Sequence, residues 1–540
     1  MKGDLDIDQG DTSELSLRSR AASFDRFESE TFDLAVIGGG ITGAGIALDA
    51  ASRHLSVALV EKRDFASGTS SRSSKLIHGG LRYLEQMDFG LVREALVERA
   101  TLTRIAPHLS IPLGFLVPVY ESGKRSPLGS NRLKLKIGLS LYDLLAGRRN
   151  IERHRWLARE QALEMAPALD AEGLRGCFLY YDCLTDDARL VIEVIKAAAL
   201  RKAAVANYAE ARSFVKENGR VSSVEVEDLM SGRTLLLRAR VVINATGVWA
   251  GEVAHLGGRD RAIRLRPSKG IHVVLPSEKI GSRRAILIPS IGEQRFLFVI
   301  PWHGRTLIGT TDTDYTGDID NPLAEEGEVE NILESAARAF PRAGISMGDV
   351  ISVFAGLRPL VGGNGGSTSE LSRKEQIIES GSGLISIIGG KLTTYRSMAE
   401  HAVDIVARRL GKPSRSLTRE IELAGGAMPE SEWEEAASSA SKEFNVTVET
   451  AEHLIRSYGG NYRDVLEIAR RSDDLKKRLI EDLPQIEAEI VYAARSEMAA
   501  TVEDFLSRRT RIALLARDQG RHCAARVAEL MARETRRSIA

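Results

Sequence analysis

Short apolar runs separated by helical patterns extend along most of the chain and indicate an α/β protein. The run from Leu34 to Ile37 has the character of a buried parallel strand, and Val57 to Val60 reads as the next strand. Residues 91–106 and 185–204 carry apolar positions at helical spacing. Further buried strands are expected at 241–244, 271–274, 285–288, 296–300 and 384–388. From about residue 426 the pattern is helical with few strand signals.

A glycine motif follows the first predicted strand. Gly38, Gly40 and Gly43 stand in G-x-G-x-x-G spacing, which allows a tight turn, close approach of a pyrophosphate and packing of the next helix on the strand. Amides at the start of that helix attract the anion. Glu61 ends the second strand, 18 residues past Gly43, where an acid bonds ribose hydroxyls and disfavours a 2′-phosphate. The motif therefore predicts a dinucleotide other than NADP, and by itself it does not separate FAD from NAD.

A second strand and glycine pair occur about 350 residues later. The strand 384–388 runs into Gly389 and Gly390, and a helix is expected to start there. A simple NAD enzyme usually completes its cofactor domain in one stretch, whereas a two-domain flavoprotein returns to it near the end. The separated units therefore favour FAD, with the later one near the flavin ring, where a helix N-terminus stabilises negative charge on reduced flavin.

Composition narrows the class further. A length of 540 residues suggests three or four domains, and the formal net charge of zero gives no support for a nucleic-acid partner. The three cysteines form no disulfide framework and have no metal-ligand spacing, so we expect a reducing compartment and no metal. No apolar run reaches the length of a membrane span. Residues 1–30 are acidic and polar, unlike a signal peptide, and are expected to form a disordered tail.

Several longer strings together resemble the FAD-dependent glycerol-3-phosphate dehydrogenase family, whose members pass electrons to a quinone. The strings are "VIGGGITGAGIALDAASR", "TSSRSSKLIHGGLRYLE", "DDARLV", "VINATGVWA", "IGTTDTDY", "AGLRPLV" and "GGKLTTYR". The resemblance runs from about Phe32 to Arg396, and "SEMAATVEDFLSRRTRIALL" in the helical C-terminal region is also similar to this family.

The resemblance implies a reaction and a domain plan. The reaction is oxidation of sn-glycerol 3-phosphate to dihydroxyacetone phosphate, with hydride passing from C2 to flavin N5 and electrons passing to a membrane quinone. The fold is a Rossmann-type FAD-binding domain interleaved with a mixed-sheet substrate domain, followed by a helical C-terminal domain. The expected segments are a tail at 1–30, FAD-binding segments at 31–117, 184–262 and 351–412, substrate or cap segments at 118–183 and 263–350, and the helical domain at 426–540.

The candidate site residues lie in these strings or in neighbouring segments of the chain. Arginine forks suit phosphate, and the expected substrate ligands are Arg82, Tyr83, Arg358, Arg373 and Lys391. His78 is the first candidate for the base that takes the C2 hydroxyl proton, and His272 is the second; Arg82, Arg358 and Lys391 complete the expected catalytic set. The expected FAD contacts are Gly38, Gly40, Gly43, Glu61, Ser70, Ser71, Ser73, Ser74, Lys75, His78, Gly247, Gly389, Gly390, Lys391 and Thr393.

The segment 131–149 interleaves Leu and Ile with five basic residues, which is typical of a helix lying on an anionic membrane surface. The alternative is an amphipathic helix packed on its own domain. With a quinone acceptor, the first interpretation predicts a cytoplasmic protein held peripherally at the inner face of the membrane. Other functions on the same fold stay open: an oxygen-using glycerol-3-phosphate oxidase, an amino-acid oxidase or a non-catalytic FAD-binding scaffold. A homo-oligomer also stays open.

Overall fold

The computed structural model describes residues 15–121, 131–257, 263–291, 295–362 and 375–535. The strands in this part of the chain are β1 Phe32–Ile37, β2 Val57–Val60, β3 Leu76–Ile77, β4 Ile111–Tyr120, β5 Arg155–Ala158, β6 Leu174–Leu184, β7 Ala204–Ala206, β8 Ala209–Glu217, β9 Arg220–Asp228, β10 Thr234–Asn244, β11 Ser268–Pro276, β12 Ala285–Pro289, β13 Phe296–Trp302, β14 Arg305–Gly309, β15 Thr313–Asp314, β16 Ser352–Arg358, β17 Gln376–Glu379 and β18 Ile385–Ile388.

The helices surround and extend these strands. They are α1 Leu17–Ser29, α2 Ile41–Ser52, α3 Phe89–Ile105, α4 Arg132–Ala146, α5 Arg159–Met165, α6 Asp187–Ala199, α7 Ala250–Leu256, α8 Glu326–Ala339, α9 Tyr395–Arg409, α10 Trp433–Phe444, α11 Val448–Tyr458, α12 Tyr462–Arg470, α13 Ala488–Ser496, α14 Val502–Asp504, α15 Ile512–Leu515 and α16 Arg521–Thr535. A π-helical turn, Phe505–Arg509, joins α14 to the segment before α15.

The first sheet has the order β17-β18-β10-β1-β2-β7, and its central pairs are parallel. Strands β1 and β2 are buried along their whole length, as expected for a parallel sheet covered on both faces. Helices α2, α6 and α9 pack together on one face and share one apolar core with the sheet. The hairpin β8-β9 pairs with the outer part of β10. The predicted Rossmann-type architecture is confirmed.

The second sheet is mixed and has the order β15-β11-β14-β13-β12-β4-β6-β3, with β16 added beside β11 and β5 beside β6. The strand pairing disagrees with two of the predicted FAD-binding segments, 31–117 and 351–412. Strands β3 and most of β4 fall within 31–117 but belong to the second sheet, and β16 falls within 351–412 but pairs with β11 along its whole length. Strand pairing is non-local, so the sequence did not reveal which sheet would take these strands.

Residues 15–30 are not a disordered tail, which corrects the expectation for this segment. Helix α1 begins at a capping box in which Ser16 and Ser19 exchange side-chain and backbone hydrogen bonds. Its Phe24 and Phe27 are buried in a cluster with strands of the first sheet, and Arg20 pairs with Asp228 at 2.5 Å. The acidic residues that suggested disorder lie among 1–14, which are outside the described residues.

The C-terminal region is helical, as predicted, and its helices form two apolar clusters, one of which includes Trp302 of the second sheet. Asp64, which follows β2, accepts bonds from Arg508 at 2.6 Å and Arg509 at 2.8 Å, and all three side chains are buried. Buried ion pairs of this kind are costly to break, because removing one partner leaves an uncompensated charge. Ion pairs, as well as apolar packing, therefore connect the C-terminal helical region to the first sheet.

Candidate active site

A cavity of about 500 Å³ lies where the two sheets meet. The first sheet contributes the turns after β1, β10 and β18, and the second sheet contributes strands β11, β13 and β16. The carboxyl ends of β1 and β10 are adjacent, since Ile37 pairs with Asn244 in parallel register. Ligands of open parallel sheets bind at such ends.

The first glycine turn has the geometry that the spacing predicted. Gly38 has φ of +109°, and a Cβ atom there would lie 2.7 Å from the Ala245 carbonyl oxygen. A Cβ atom at Gly43 would lie 1.9 Å from the Gly38 carbonyl oxygen, so only glycine lets α2 pack this closely on the turn. Gly40 precedes α2 and lines the cavity, and Ser70 Oγ accepts a hydrogen bond from the Ile41 amide at 2.9 Å.

Glu61 lies on the cavity wall at the end of β2. Its carboxylate accepts hydrogen bonds from the amides of Gly39 at 2.6 Å and Arg63 at 2.9 Å. Burial raises the pKa of this carboxyl, although the two amide bonds oppose the shift. Each carboxylate oxygen can accept more than one hydrogen bond, so this arrangement is compatible with the predicted contact to ribose hydroxyls.

The serine-rich loop after β2 is divided between the cavity and the protein interior. Ser70, Ser73 and Ser74, three of the residues expected to contact FAD, line the cavity. Ser71 is buried and does not line it, and Lys75 is a correction because its ammonium is fully buried against Asp187 at 2.8 Å. Asp187 starts α6, more than 100 residues away, so no local pattern around Lys75 indicated this pair.

The second glycine pair closes the cavity from the other side. Gly389 and Gly390 have φ of +80° and +81°, and a Cβ atom at Gly390 would lie 2.2 Å from the Met398 sulfur. Thr393 accepts a hydrogen bond from the His78 amide at 3.1 Å and donates one to the His78 carbonyl at 3.3 Å. The two separated glycine units therefore meet across one cavity. Gly247, with φ of +59°, also lines it.

Buried side chains that the sequence analysis did not identify form hydrogen bonds to the turn after His78. The Gly79 amide donates to Tyr142 Oη at 2.9 Å and to Asp182 Oδ1 at 3.2 Å. Tyr142 in turn donates to Asp182 at 2.7 Å, and Arg99 donates to the same carboxylate at 2.6 Å. These three side chains are buried and come from α3, α4 and β6. The glycine pair in the motif "IHGG" indicated a tight turn here, but it did not indicate which distant residues would hold that turn.

Only some of the predicted substrate ligands line the cavity. Tyr83, Arg358 and Lys391 line it, and the Lys391 ammonium lies 3.6 Å from the centroid of the Tyr83 ring, a cation–π contact. Arg82, in the same 3₁₀ turn as Tyr83, is not among the residues that line it. Arg373 lies outside the described residues.

Arg358 and His272 face the cavity from neighbouring strands. The Arg358 guanidinium donates to Thr310 Oγ1 at 3.0 Å, to the Thr311 carbonyl at 3.2 Å and to Ser268 Oγ at 3.3 Å. His272 stacks on Phe354 with centroids 4.8 Å apart. Burial, together with the charges of Lys75 and Arg358, holds the pKa of His272 well below its usual range, so the ring is neutral.

His272 has one ring nitrogen within reach of a polar group. Its Nε2 lies 2.9 Å from Ser74 Oγ, and its Nδ1 is buried with no hydrogen-bond partner in the described part of the chain. His272 lines the cavity, as does the Ser74 hydroxyl that it contacts. His78 also lines the cavity and is only partly buried, whereas His272 is buried; the His78 ring lies 6.5 Å from that of Phe298.

An aromatic and charged group that the sequence did not predict lines the other end of the cavity. The Lys62 ammonium lies 4.3 Å from the Trp249 ring centroid, and both residues line the cavity. Trp249 Nε1 donates to Asp320 at 2.9 Å, and Lys62 and Arg63 pair with the same carboxylate. Trp249 follows β10 of the first sheet and Asp320 follows β15 of the second, so this contact joins the two sheet regions at the cavity.

Comparison with known proteins agrees with these features. A family model described as "FAD dependent oxidoreductase" matches residues 33–396, and one described as "C-terminal domain of alpha-glycerophosphate oxidase" matches 416–540. A glycerol-3-phosphate dehydrogenase from Mycobacterium leprae is 40% identical over 526 residues, covering 96% of this chain and 88% of the relative. An aerobic glycerol-3-phosphate dehydrogenase from Staphylococcus aureus is 38% identical over 494 residues, covering 89% and 87%.

Solved structures give the same result. The glycerol-3-phosphate dehydrogenase from Bacillus halodurans, complexed with FAD, superposes with a TM-score of 0.79 at 33% identity and covers 96% of this chain and 94% of its own. The two glycine turns, whose space a side chain would fill, and the cavity that both turns line fit the pyrophosphate and ring ends of FAD. The chain therefore belongs to the FAD-dependent oxidoreductases, within the glycerol-3-phosphate dehydrogenase family.

Proposed function

We propose that this protein oxidises sn-glycerol 3-phosphate to dihydroxyacetone phosphate and passes the electrons to a membrane quinone. The observation that carries the proposal is the position of Arg358 and Lys391, two cations on the wall of a cavity that also exposes His78. A phosphate dianion is matched by such a pair better than a single carboxylate, which disfavours an amino-acid substrate. The names of the relatives at 38–40% identity support the same substrate.

The protein's own residues have three tasks in this reaction. Arg358 and Lys391 bind and orient the phosphate, and Tyr83 supports Lys391 through its ring. A histidine accepts the proton of the C2 hydroxyl as hydride leaves C2. His78 is the first candidate because it lines the cavity and is only partly buried, whereas His272 is buried. FAD, when bound, supplies the two-electron acceptor. The turn at Gly389 and Gly390 and the backbone amides of the helical turn after it would lie at its ring end.

Steady-state dye reduction tests the substrate. Glycerol 3-phosphate should support turnover, whereas glycerol, which lacks the phosphate, and glycine should not at the same concentrations. Turnover with glycine, or equal turnover with glycerol, would refute the proposed phosphate clamp. The acceptor is tested separately by measuring hydrogen peroxide formed per substrate oxidised in air. A small fraction supports a quinone acceptor, and one peroxide per substrate would establish the oxygen-using alternative.

The membrane part of the proposal is supported by α4. Its apolar side chains Leu133, Ile137 and Leu144 are 65%, 60% and 75% exposed, and Met87 of the adjacent turn is 70% exposed. Lys134 and Lys136 are exposed on the same helix. Exposed apolar groups among cations are typical of a helix at a lipid interface. No helix in the described ranges has the length and apolarity needed to cross a bilayer. We propose attachment of this face to the anionic inner surface of the membrane.

Charge reversal on α4 tests this attachment. Replacing Lys134 and Lys136 by Glu should weaken binding to vesicles containing anionic lipid by about 2 kcal/mol or more, roughly 30-fold, because each cation contributes about 1 kcal/mol near such a surface. Dye-linked activity without vesicles should persist. The matched control reverses Lys442 and Lys477, two exposed lysines of the C-terminal helical region. Equal vesicle binding by the α4 variant and the control would contradict membrane attachment and favour the alternative, in which α4 is an amphipathic helix packed on its own domain.

A further inference from the structure

A buried cluster of charges lies behind the cavity wall. The Lys75 ammonium is 2.8 and 2.9 Å from the two Asp187 carboxylate oxygens and 2.6 Å from the Ser71 carbonyl oxygen. Lys75 and Asp187 are fully buried. Burial lowers the pKa of Lys75 to about 8, and the Asp187 carboxylate limits the fall. Because both groups are buried, removing a neighbouring charge that compensates them would destabilise the pair.

Arg511, from the C-terminal helical region, completes that balance. It is 1% exposed, and its guanidinium donates to Asp186 at 2.7 and 3.0 Å and makes a short contact with Asp187. Two carboxylates thus face one ammonium and one guanidinium. His303 lies 3.3 Å from Asp186 at the edge of the cluster. Without Arg511, the two aspartates would share one lysine, and a buried negative charge would remain uncompensated.

The cluster also holds the part of the serine-rich loop that reaches the cavity. Asp187 Oδ2 accepts hydrogen bonds from the Ser73 amide at 3.0 Å and from the Ser73 hydroxyl at 2.6 Å. Ser73 and Ser74 line the cavity, and Ser74 Oγ lies 2.9 Å from His272 Nε2. A continuous series of polar contacts therefore runs from Arg511 through Asp187 to Ser73, whose neighbour in the chain contacts His272.

We propose that Arg511 is a positioning residue of the FAD site, by which the C-terminal helical region fixes the loop 70–75 against the cofactor. Asp187 connects Arg511 to the loop. With Arg511 present, its carboxylate stays ionised and keeps its orientation while it binds both Lys75 and Ser73. Without Arg511, Asp187 would lose the guanidinium that fixes its carboxylate, and the loop would be held less firmly at Ser73. The inference rests on FAD binding in this cavity and does not depend on which substrate is oxidised.

The test compares Arg511→Met, Arg511→Lys and the control Arg526→Lys. Arg526 is an arginine of the same region that pairs with Glu487 at 2.7 Å and is not part of the buried cluster. FAD release from each holoenzyme on dilution gives a dissociation constant, and circular dichroism of the visible flavin bands reports the cofactor's surroundings. Arg511→Met should raise the FAD dissociation constant about 10-fold or more and change the flavin bands, and Arg511→Lys should restore part of both. Arg526→Lys should match the wild type.

A double-mutant cycle keeps the inference testable if Arg511→Met does not fold. Arg511→Lys and Ser73→Ala are measured singly and together. If Arg511 acts through Asp187 on Ser73, the combined effect on the FAD dissociation constant should fall short of the product of the single effects by about threefold or more. Independent, multiplying effects would overturn the inference, as would an unchanged dissociation constant and unchanged flavin bands in Arg511→Lys. These readouts need no substrate, so a failure here is distinct from a failure of the proposed reaction.

Discussion

Replacing Arg358 by Ala removes a cation that several hydrogen bonds hold on the wall of the cavity. Its guanidinium is fixed by Thr310, Thr311 and Ser268, with Asp312 at 3.4 Å. These contacts orient the group before any ligand arrives, so a bound phosphate does not have to offset the cost of ordering a free side chain. Loss of this group should therefore remove nearly the whole value of a charged hydrogen bond.

The expected size depends on that geometry. Hydrogen bonds to charged groups contribute about 1.5–3 kcal/mol, so kcat/KM for glycerol 3-phosphate should fall roughly 10- to 150-fold in Arg358→Ala. The phosphate is not the reacting group and is held in the ground state and the transition state alike. Most of the change should therefore appear in KM, with kcat changed little.

Arg295→Ala is the matched control. Arg295 pairs with the same Asp312 at 2.9 Å but is not among the residues that line the cavity. It therefore reports the effect of disturbing Asp312 alone. The assay is steady-state dye reduction by both variants across a range of substrate concentrations, with bound FAD measured by absorbance. Equal kcat/KM for the two variants, or a loss confined to kcat in Arg358→Ala, would refute the assignment of Arg358 to the phosphate.

Further predictions concern three histidines. His78→Ala should slow flavin reduction by about 10²–10⁴-fold with FAD still bound, whereas His272→Ala should slow it less; the reverse order in stopped-flow measurements would give the base role to His272. His108 is buried, and burial lowers its pKa to about 3, helped by the charges of Arg189 and Lys196. Because the unfolded chain binds this proton near pH 6.5 and the folded chain does not, acidification from pH 6.5 toward 3 should cost about 1.4 kcal/mol of stability per pH unit from this residue. His108→Leu should therefore lose less thermal stability than the wild type between pH 7.5 and 5.5, and parallel losses would contradict the assignment.

The local features of the site were predictable from the sequence. The turns at Gly38 and Gly390 arise from steric demands within a few residues, and the strands before them arise from apolar runs. The confirmed fold class and cofactor depend on these features. The finer site roles of His78, Arg358 and Lys391 stay predictions, although the structure brings all three to one cavity.

The features that could not be predicted depend on contacts between distant parts of the chain. Lys75 was expected to contact the cofactor and instead pairs with Asp187, 112 residues away. Tyr142 reaches the Gly79 amide across 63 residues, and β16 joins β11 rather than the cofactor sheet. Local periodicity carries no information about such pairings, because they are decided by which surfaces meet in the folded chain.

Anaerobic reduction of the bound flavin tests the central claim most directly. The holoenzyme is mixed with glycerol 3-phosphate without oxygen or any acceptor, and the visible absorption of oxidised FAD is followed. The proposed function predicts that this absorption is lost, with one dihydroxyacetone phosphate formed per FAD reduced, and that Arg358→Ala needs a higher substrate concentration for the same loss. Flavin that stays oxidised at saturating glycerol 3-phosphate, in protein that dithionite still reduces, would contradict the claim.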